Sequence, residues 1–550
     1  MPKNLRFLSF FLMAILALTQ AAKAHIGSPE VVMQGQAGSY VMLVSVLPPD
    51  VIPGVAKITV YTQNEPITKL TATAMFYRSG PKGTAPPDVL KPVAGKPGQY
   101  SGELWLMSTG STGIQLKAEG KFGKGELVVP VVAVSTALRS LPPGTGWMLA
   151  GLALFLFILL TTIFGSSVSD AMRKVGAPTT GETRRKRWTG ALVGALITGA
   201  LLYGGHAWWQ SWADDYQKYM YKPMQAKTVV RQKDGVSQLE FAIDTTGKRA
   251  SGISFIIPDH GKLMHLFLLR YPAMDAFTHL HPQRSDSVRF TSILPPLPKG
   301  KYLVFADVVY LSGFTETIKD TLIIEADIPP TPTRVDRDDA YAFALPANLV
   351  DNAQIANSAD SNMIVCGVPG TGLRLSDGST MVWEGMTNAP LKAGVIQNMQ
   401  FAVFTPEKQP ATLDAYLGMG GHAAVMRNDG NVYVHLHPVG TFTPASEGRL
   451  KSRLTDERTL ASNPPDSKSF RDSIDQVVSA LANMSATDRD NKLMEGVDMV
   501  GMTMDSTGRM LHPNMVSFPY SFPSAGQYRI WVQVKHKGKV LTGAFDKLVE

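Results

Sequence analysis

Cysteine is nearly absent from this 550-residue sequence, which holds one, Cys366. That excludes an internal disulfide framework and any site built from several thiolates. No G-x-S-x-G elbow, H-E-x-x-H helix or glycine-rich phosphate loop occurs, so the common nucleophilic, zinc-protease and nucleotide-binding chemistries lack their usual residues. One-signed charge is also scarce outside a single loop. The net charge of +8 is concentrated in Arg173, Lys174, Arg184, Arg185, Lys186 and Arg187 while the other basic residues are scattered, so no nucleic-acid partner is expected. A metal, if there is one, must be held by histidine, methionine or carboxylate.

Long apolar runs are present. Lys3 and Arg6 precede the run Phe7 to Leu18, and Ala22-Lys23-Ala24 offers a small-residue cleavage site. Residues 1–24 therefore read as a secretory signal peptide, with His25 as the first mature residue. Two further runs, 146–164 and 189–208, are long enough to cross a bilayer as helices. The loop 165–187 between them carries the six basic residues and reads as cytoplasmic by the positive-inside rule. Both signals put residues 25–140 and 210–550 outside, making a two-pass protein of a bacterial inner membrane with its large domains in the periplasm. Gly190 and Gly194 give the second run a G-x-x-x-G spacing that lets the first helix come close. Trp208, Trp209, Trp212, Tyr216, Tyr219 and Tyr221 follow it and suit the membrane–water boundary.

Residues 25–140 alternate in short β-branched runs separated by glycine and proline, which predicts a β-sandwich. Beyond the membrane segments the sequence repeats itself. "MHLFLLRYPAMDAFTHLHP" (264–282) matches "GHAAVMRNDGNVYVHLHP" (421–438), and "LPKGKYLVFADVVYLSG" (297–313) matches "FPSAGQYRIWVQVKHKG" (522–538). Two copies of one β-domain are expected at 225–326 and 340–550, joined by the proline-rich, charged linker 327–339. The second copy contains an insert, 440–515, with a helix from Ser467 to Met484 and then a methionine-rich stretch. The fold class is mainly β: three immunoglobulin-like β-sandwich domains plus two transmembrane α-helices.

The repeated hairpins carry the chemistry. Asp429-Gly430 between apolar alternations predicts a two-residue type I′ turn. Pairing Asn428 with Asn431 then sets Ala424 opposite His435 and His422 opposite His437. Side chains alternate along a strand, so His422, His435 and His437 share a face with Met426, and the valines and leucine of the other face form the core. The first copy, through the loop Pro272 to Met274, sets His265 opposite His281 with His279 on the same face. Opposed strand positions lie about 5.5 Å apart at Cα, near enough for their imidazoles to reach one ion. The same rings could instead stack and pack, and in the first copy Phe267, Leu269 and Phe277 on the histidine face favour that structural reading. Both readings stay open.

Thioethers nearby favour copper, Cu(I) above all, with zinc as second candidate. Met264 precedes His265, Met419 lies three residues before His422, and Met426 shares its face. Met494, Met499, Met502, Met504, Met510 and Met515 accompany His512 in the insert, where they can equally anchor a loop over a sheet. The candidate ligands are thus His422, His435, His437, His265, His279 and His281, with Met419, Met426 and Met264. His260 is undecided, and His206 and His536 read as interfacial and surface residues. An open position in a three-histidine site could activate water or oxygen, but no enzyme motif supports catalysis.

The hairpins resemble uncharacterised bacterial periplasmic modules of the YtkA-like or FixH-like kind. The resemblance is carried by Met264-His265, Phe277-Thr278-His279-Leu280-His281-Pro282 and Gly300-Lys301-Tyr302, and in the second copy by His422, Tyr433-Val434-His435-Leu436-His437-Pro438 and Gly526-Gln527-Tyr528. The second copy departs from the pattern in having Gly421 where methionine precedes the first histidine. The resemblance covers roughly 200 residues and implies immunoglobulin-like folds, copper, and copper-efflux or oxidase components as partners. A metal-binding protein for buffering, sensing or transfer is the expectation, and a non-enzymatic assembly module with structural histidines is the alternative.

Overall fold

Alternating apolar residues fold 31–133 into one eight-stranded antiparallel sheet, ordered Val31–Ala37, Tyr40–Leu47, Gly54–Thr62, Gln99–Leu106, Asp88–Pro92, Ile67–Phe76, Gly110–Gly120, Gly123–Ala133. Asp88–Pro92 bonds to strands of both halves, so a single ladder runs through the domain. The sheet curls until its first and last strands touch. A Cβ at Gly125 would stand 2.0 Å from the Ala37 carbonyl oxygen, so only glycine fits there. The computed structural model describes residues 25–26, 30–62, 67–138, 141–171, 173–174, 176–246, 250–331, 336–345, 362–456, 465–494 and 513–550. The expected signal peptide and most of the methionine-rich stretch, including Met499 to His512, lie outside them.

Two helices, Pro143–Asp170 and Gly181–Tyr219, are long and apolar enough to cross a membrane. They exceed the expected spans because the basic residues Arg184 to Arg187 continue the second helix instead of forming a loop, with Asp170 accepting from Arg173 and Arg187. The two glycines do what their spacing predicts. A Cβ would meet the Phe164 carbonyl oxygen at 2.8 Å from Gly190 and the Phe164 Cβ at 2.6 Å from Gly194. Gly194→Leu should therefore pry the helices apart, an overpacking that typically costs about 1–3 kcal/mol, and lower the detergent-solubilised melting temperature, whereas Gly199→Leu, with open space around it, should not.

The two copies are built alike. Each has a four-stranded sheet: Gln283–Arg284, Arg289–Ile293, Val236–Ile243, Ala226–Lys233 in the first, and Gly372–Arg374, Thr380–Glu384, Ile396–Phe404, Met515–Ser521 in the second. Each also has a sheet carrying the histidine hairpin. In the first, His265–Tyr271 lies between Ala276–Leu280 and Gly300–Tyr310, and in the second His422–Arg427 lies between Val432–Leu436 and Gly526–His536. The last strands, Thr315–Ile324 and Lys539–Val549, flank these. Even the turns before the hairpins match: His260 and Leu417 have φ of 51° and 56°, and Gly261 and Gly418 follow at 76° and 74°.

Two expectations about the copies are corrected. The strand Ala340–Leu345 does not open the second copy; it pairs antiparallel with Ala276–Leu280 and extends the sheet of the first. The histidine face is not the outer face either. The two hairpin sheets meet on it, Phe305 stacking on Tyr433 at 3.9 Å and Phe277 on Trp531 at 4.8 Å, so each hairpin is buried on both sides. In the insert the expected helix appears at Ser467–Asn483, capped by Asp466 through the Ser469 amide. Two more helices, Pro444–Thr455 and Ala486–Met494, flank it. Leu481 and Leu493 press on Gly261, and Leu493 on Gly418, so this helical layer covers both matched turns.

Candidate metal centre

The second hairpin keeps the expected register but not the expected turn. Ala423 pairs with Leu436, Ala424 with His435, Val425 with Val434 and Met426 with Tyr433, an alignment that sets His422 against His437. Gly430 alone adopts positive φ, 73°, and its amide donates to the Arg427 carbonyl at 2.8 Å. A type I′ turn would need positive φ at Asp429 too. The Asp429 carboxylate instead accepts from the Asn431 amide at 3.0 Å and from the Arg427 guanidinium at 2.9 and 2.7 Å, bonds that favour the ordinary conformation. The first hairpin pairs Leu266 with Leu280 and Phe267 with His279, which aligns His265 with His281.

The six expected histidines do not form two separate sets. They meet between the copies in one cluster, joined by His260, and all seven side chains belong to buried residues. Ring centroids lie 5.3 Å apart for His265–His279, 5.1 Å for His265–His281, 5.3 Å for His265–His435 and 6.2 Å for His265–His422. His260 lies 5.4 Å from His422 and 5.0 Å from His437. The ligand-capable atoms fall into two compact triads, His265, His279, His281 and His260, His422, His437, each with its nitrogens within 4.8 Å of one another. The two sets share one buried environment, so the sequence's distinction between a structural first set and a second set does not hold.

Most rings turn one nitrogen outward to an acceptor. His281 Nδ1 meets Asp339 Oδ1 at 2.9 Å, His437 Nδ1 donates to the Phe442 carbonyl at 2.8 Å, and His279 Nδ1 donates to Gln533 Oε1 at 2.8 Å. His435 Nδ1 lies 3.4 Å from Asp307 Oδ2. Asp307 and Gln533 occupy equivalent places, opposite His265 and His422 in register, so each copy holds a histidine of the other. The opposite nitrogens point inward. Nε2 of His260, His281, His435 and His437, and both nitrogens of His422, have no hydrogen-bond partner among the described residues. A buried polar atom left unpaired costs about 1–3 kcal/mol, and outward-anchored imidazoles with free inner nitrogens are how proteins prepare metal ligands.

The electrostatics agree. Burial pushes His260 and His437 down to about 4. His265, His279, His422 and His435 are held well below the ordinary histidine value by burial and by one another. These rings are neutral at pH 7, with lone pairs available to an ion. Burial raises Asp259 to about 6 and Asp307 to about 7. A third group, His281, Asp336 and Asp339, is already served by an ammonium: Lys262 Nζ lies 2.5 Å from Asp336.

Two of the three candidate thioethers belong to apolar cores. Met419 packs with the N-terminal sheet, Met426 joins the apolar core between the copies, and Met264 is buried. His536, expected at the surface, is buried with Nδ1 2.9 Å from Asp377. Sequence reasoning left His260 undecided, and it missed the carboxylates of the supposed linker. The signal for His260 was its position in a turn repeated at Leu417. The backbone of His25–Ile26 pairs parallel with Val432 and Tyr433, beside this hairpin.

Comparison with known proteins adds little. No curated protein matches. Among solved structures, this chain is 8% identical to dimeric latent PorU from Porphyromonas gingivalis, covering 95% of this chain and 34% of that one with a TM-score of 0.13. It is likewise 8% identical to a putative membrane anchored protein from Corynebacterium diphtheriae, covering 94% and 95% with a TM-score of 0.14. The chain thus spans about a third of PorU. A family profile described as a domain of unknown function (DUF8832) matches residues 375–459 and 499–550, which lie in the second copy and include His422, His435 and His437.

Proposed function

We infer that this chain is a membrane-anchored metalloprotein whose histidine cluster holds metal on the extracytoplasmic side, copper ahead of zinc, to buffer, sense or pass on the ion. The observation that supports it is the set of buried inward nitrogens on His260, His281, His422, His435 and His437 that lack hydrogen-bond partners among the described residues. All-imidazole donation suits both Cu and Zn; the resemblance to periplasmic YtkA-like or FixH-like modules tips the choice to copper and suggests efflux or oxidase components as partners. The same resemblance reads the paired sheets of each copy as immunoglobulin-like. The basic residues between the two apolar helices support a cytoplasmic connection and periplasmic domains. The clustered histidines, His265, His279 and His281 with His260, His422 and His437, would supply the ligands, and the carboxylates behind His281 and His435 would offset the ion's charge.

The test is competition titration of the detergent-solubilised full chain, stripped of metal, with Cu(I), Cu(II) and Zn(II). Removing a group that merely orients a ligand costs 10–100-fold in affinity, so combined His281→Gln, His435→Gln and His437→Gln should weaken binding by more than about 100-fold. Unchanged affinity in a variant that keeps the wild-type circular dichroism overturns the reading.

A further inference from the structure

Duplication by itself would give two equal sets, 265/279/281 and 422/435/437, one per copy. The geometry points to a dinuclear centre with a different division of ligands: one ion in His265, His279 and His281, a second in His260, His422 and His437, and His435 between them as a seventh imidazole whose one free nitrogen, Nε2, is available to either ion. This rests on the metal-binding reading and adds nuclearity and ligand assignment to it.

Each triad is compact by itself, its ligand-capable atoms within 4.8 Å of one another. In the first, His265 Nδ1 and His279 Nε2 stand 3.0 Å apart in a hydrogen bond, which an ion in place of the shared proton would widen only to the roughly 3.3 Å between two nitrogens on a tetrahedral ion with bonds of about 2.0 Å. In the second, His260 takes the place that duplication would give to His435. Its ring is 5.0 Å from His437 and 5.4 Å from His422 but 6.2 Å from His265. His435 Nδ1 faces Asp307 of the other copy, and its ring borders both triads, 4.5 Å from His437 and 5.3 Å from His422 on one side and 5.3 Å from His265 on the other, with Nε2 unpartnered among the described residues.

The triads adjoin. His265 and His279 lie 6.2 and 6.1 Å from His422, so two ions would be close neighbours. Two cations in so small a buried volume need negative charge behind the ligands. Asp339 backs His281 and Asp307 backs His435, while Asp259 stands on the ligand side of His260, 3.7 Å from its Nε2. Asp338, by contrast, is engaged by Arg489 and Lys262 and is not free to serve. The centre exists only where the copies meet, because every outward anchor of His279 and His435 comes from the opposite copy or from Tyr416.

The metal-free full chain in detergent is loaded with excess Cu(II), desalted, and assayed for copper by mass spectrometry and for unpaired spins by electron paramagnetic resonance. Two coppers per chain are expected, with far fewer than two spins because neighbouring Cu(II) ions couple. Zn(II) loading should give the same stoichiometry. His260→Asn keeps a residue that tolerates positive φ and should bind one copper with one full spin; His281→Gln should do likewise through loss of the other triad. One copper per chain in the wild type, or two with two independent spins, overturns the dinuclear centre and leaves the metal reading standing. No copper at all overturns both. Two coupled coppers retained in His260→Asn overturn the ligand division.

Discussion

Changing His422 to leucine should stabilise the metal-free protein and destabilise the metal-loaded one. His422 is fully buried, and neither of its nitrogens has a hydrogen-bond partner among the described residues. Its ring packs edge-on against Tyr416 at 4.9 Å, a contact that a leucine of similar size keeps in large part. Each unpaired buried nitrogen costs about 1–3 kcal/mol, so relieving both should raise the metal-free unfolding free energy by about 2 kcal/mol after some loss of packing. Metal acts in the opposite sense, because an ion bound only by the folded state adds about 4 kcal/mol at a thousand times its dissociation constant. Wild type gains that increment and the variant, short of a ligand, does not. Urea midpoints measured with chelator and again with excess Cu(I) should therefore cross over. A metal-free variant clearly less stable than wild type would mean that the imidazole is there to pack, and the metal reading would fail at this residue.

How far the sequence anticipates this follows from what each residue pattern encodes. Alternation fixes which side chains share a face, and the repeated H-x-H hairpins gave the register of both strand pairs correctly. Alternation says nothing about what covers a face. The cover here is the other copy, and the clue was chemical: Phe267, Leu269, Phe277 and Tyr433 beside the histidines are too apolar for a solvated face. His260 stayed undecided because the copies differ there, Leu417 standing at the equivalent place, so repeat logic alone had no reason to select it. The segment 327–339 looked like a spacer because proline and charge are what spacers contain. Its acids acquire their roles only when the turn at Lys262, the helix at Arg489 and the strand at Lys535 come round to meet them. The Asp429 turn failed for a local reason, since a side chain that bonds its own backbone can override the conformation its dipeptide favours.

That clasp carries the largest destabilisation expected of a single conservative change. The Asp338 side chain is wholly buried, with Arg489 at 2.6 Å and 3.0 Å on its two oxygens, Lys262 at 3.1 Å and Lys535 at 3.9 Å. Asp490 shares Arg489 at 3.1 Å and Lys535 at 3.4 Å, and Asp336 shares Lys262. One network thus ties the segment after the first copy to both copies and to the covering helix. Asp338→Asn removes the central charge and leaves buried cations short of a partner, a change that typically costs about 3–5 kcal/mol. Asp429→Asn, at an exposed turn where Arg427 is the partner, should cost no more than about 1 kcal/mol. Burial opposes ionisation of Asp338, yet Lys262 and Arg489 hold its carboxyl well below the usual carboxylate range. A depressed carboxylate stabilises the fold above its unfolded value of 3.8 and loses that contribution as pH falls further. The gap between wild type and Asp338→Asn should accordingly be full at pH 7 and narrow below pH 3.8. Denaturant titrations at both pH values check this, and a gap that does not change with pH would remove the carboxylate's charge as the cause. Because the Asp338 carbonyl also accepts from Tyr416, whose hydroxyl lies 3.3 Å from His279 Nδ1, loosening the clasp should weaken metal binding too, by way of the ring that Tyr416 and Gln533 together hold in place.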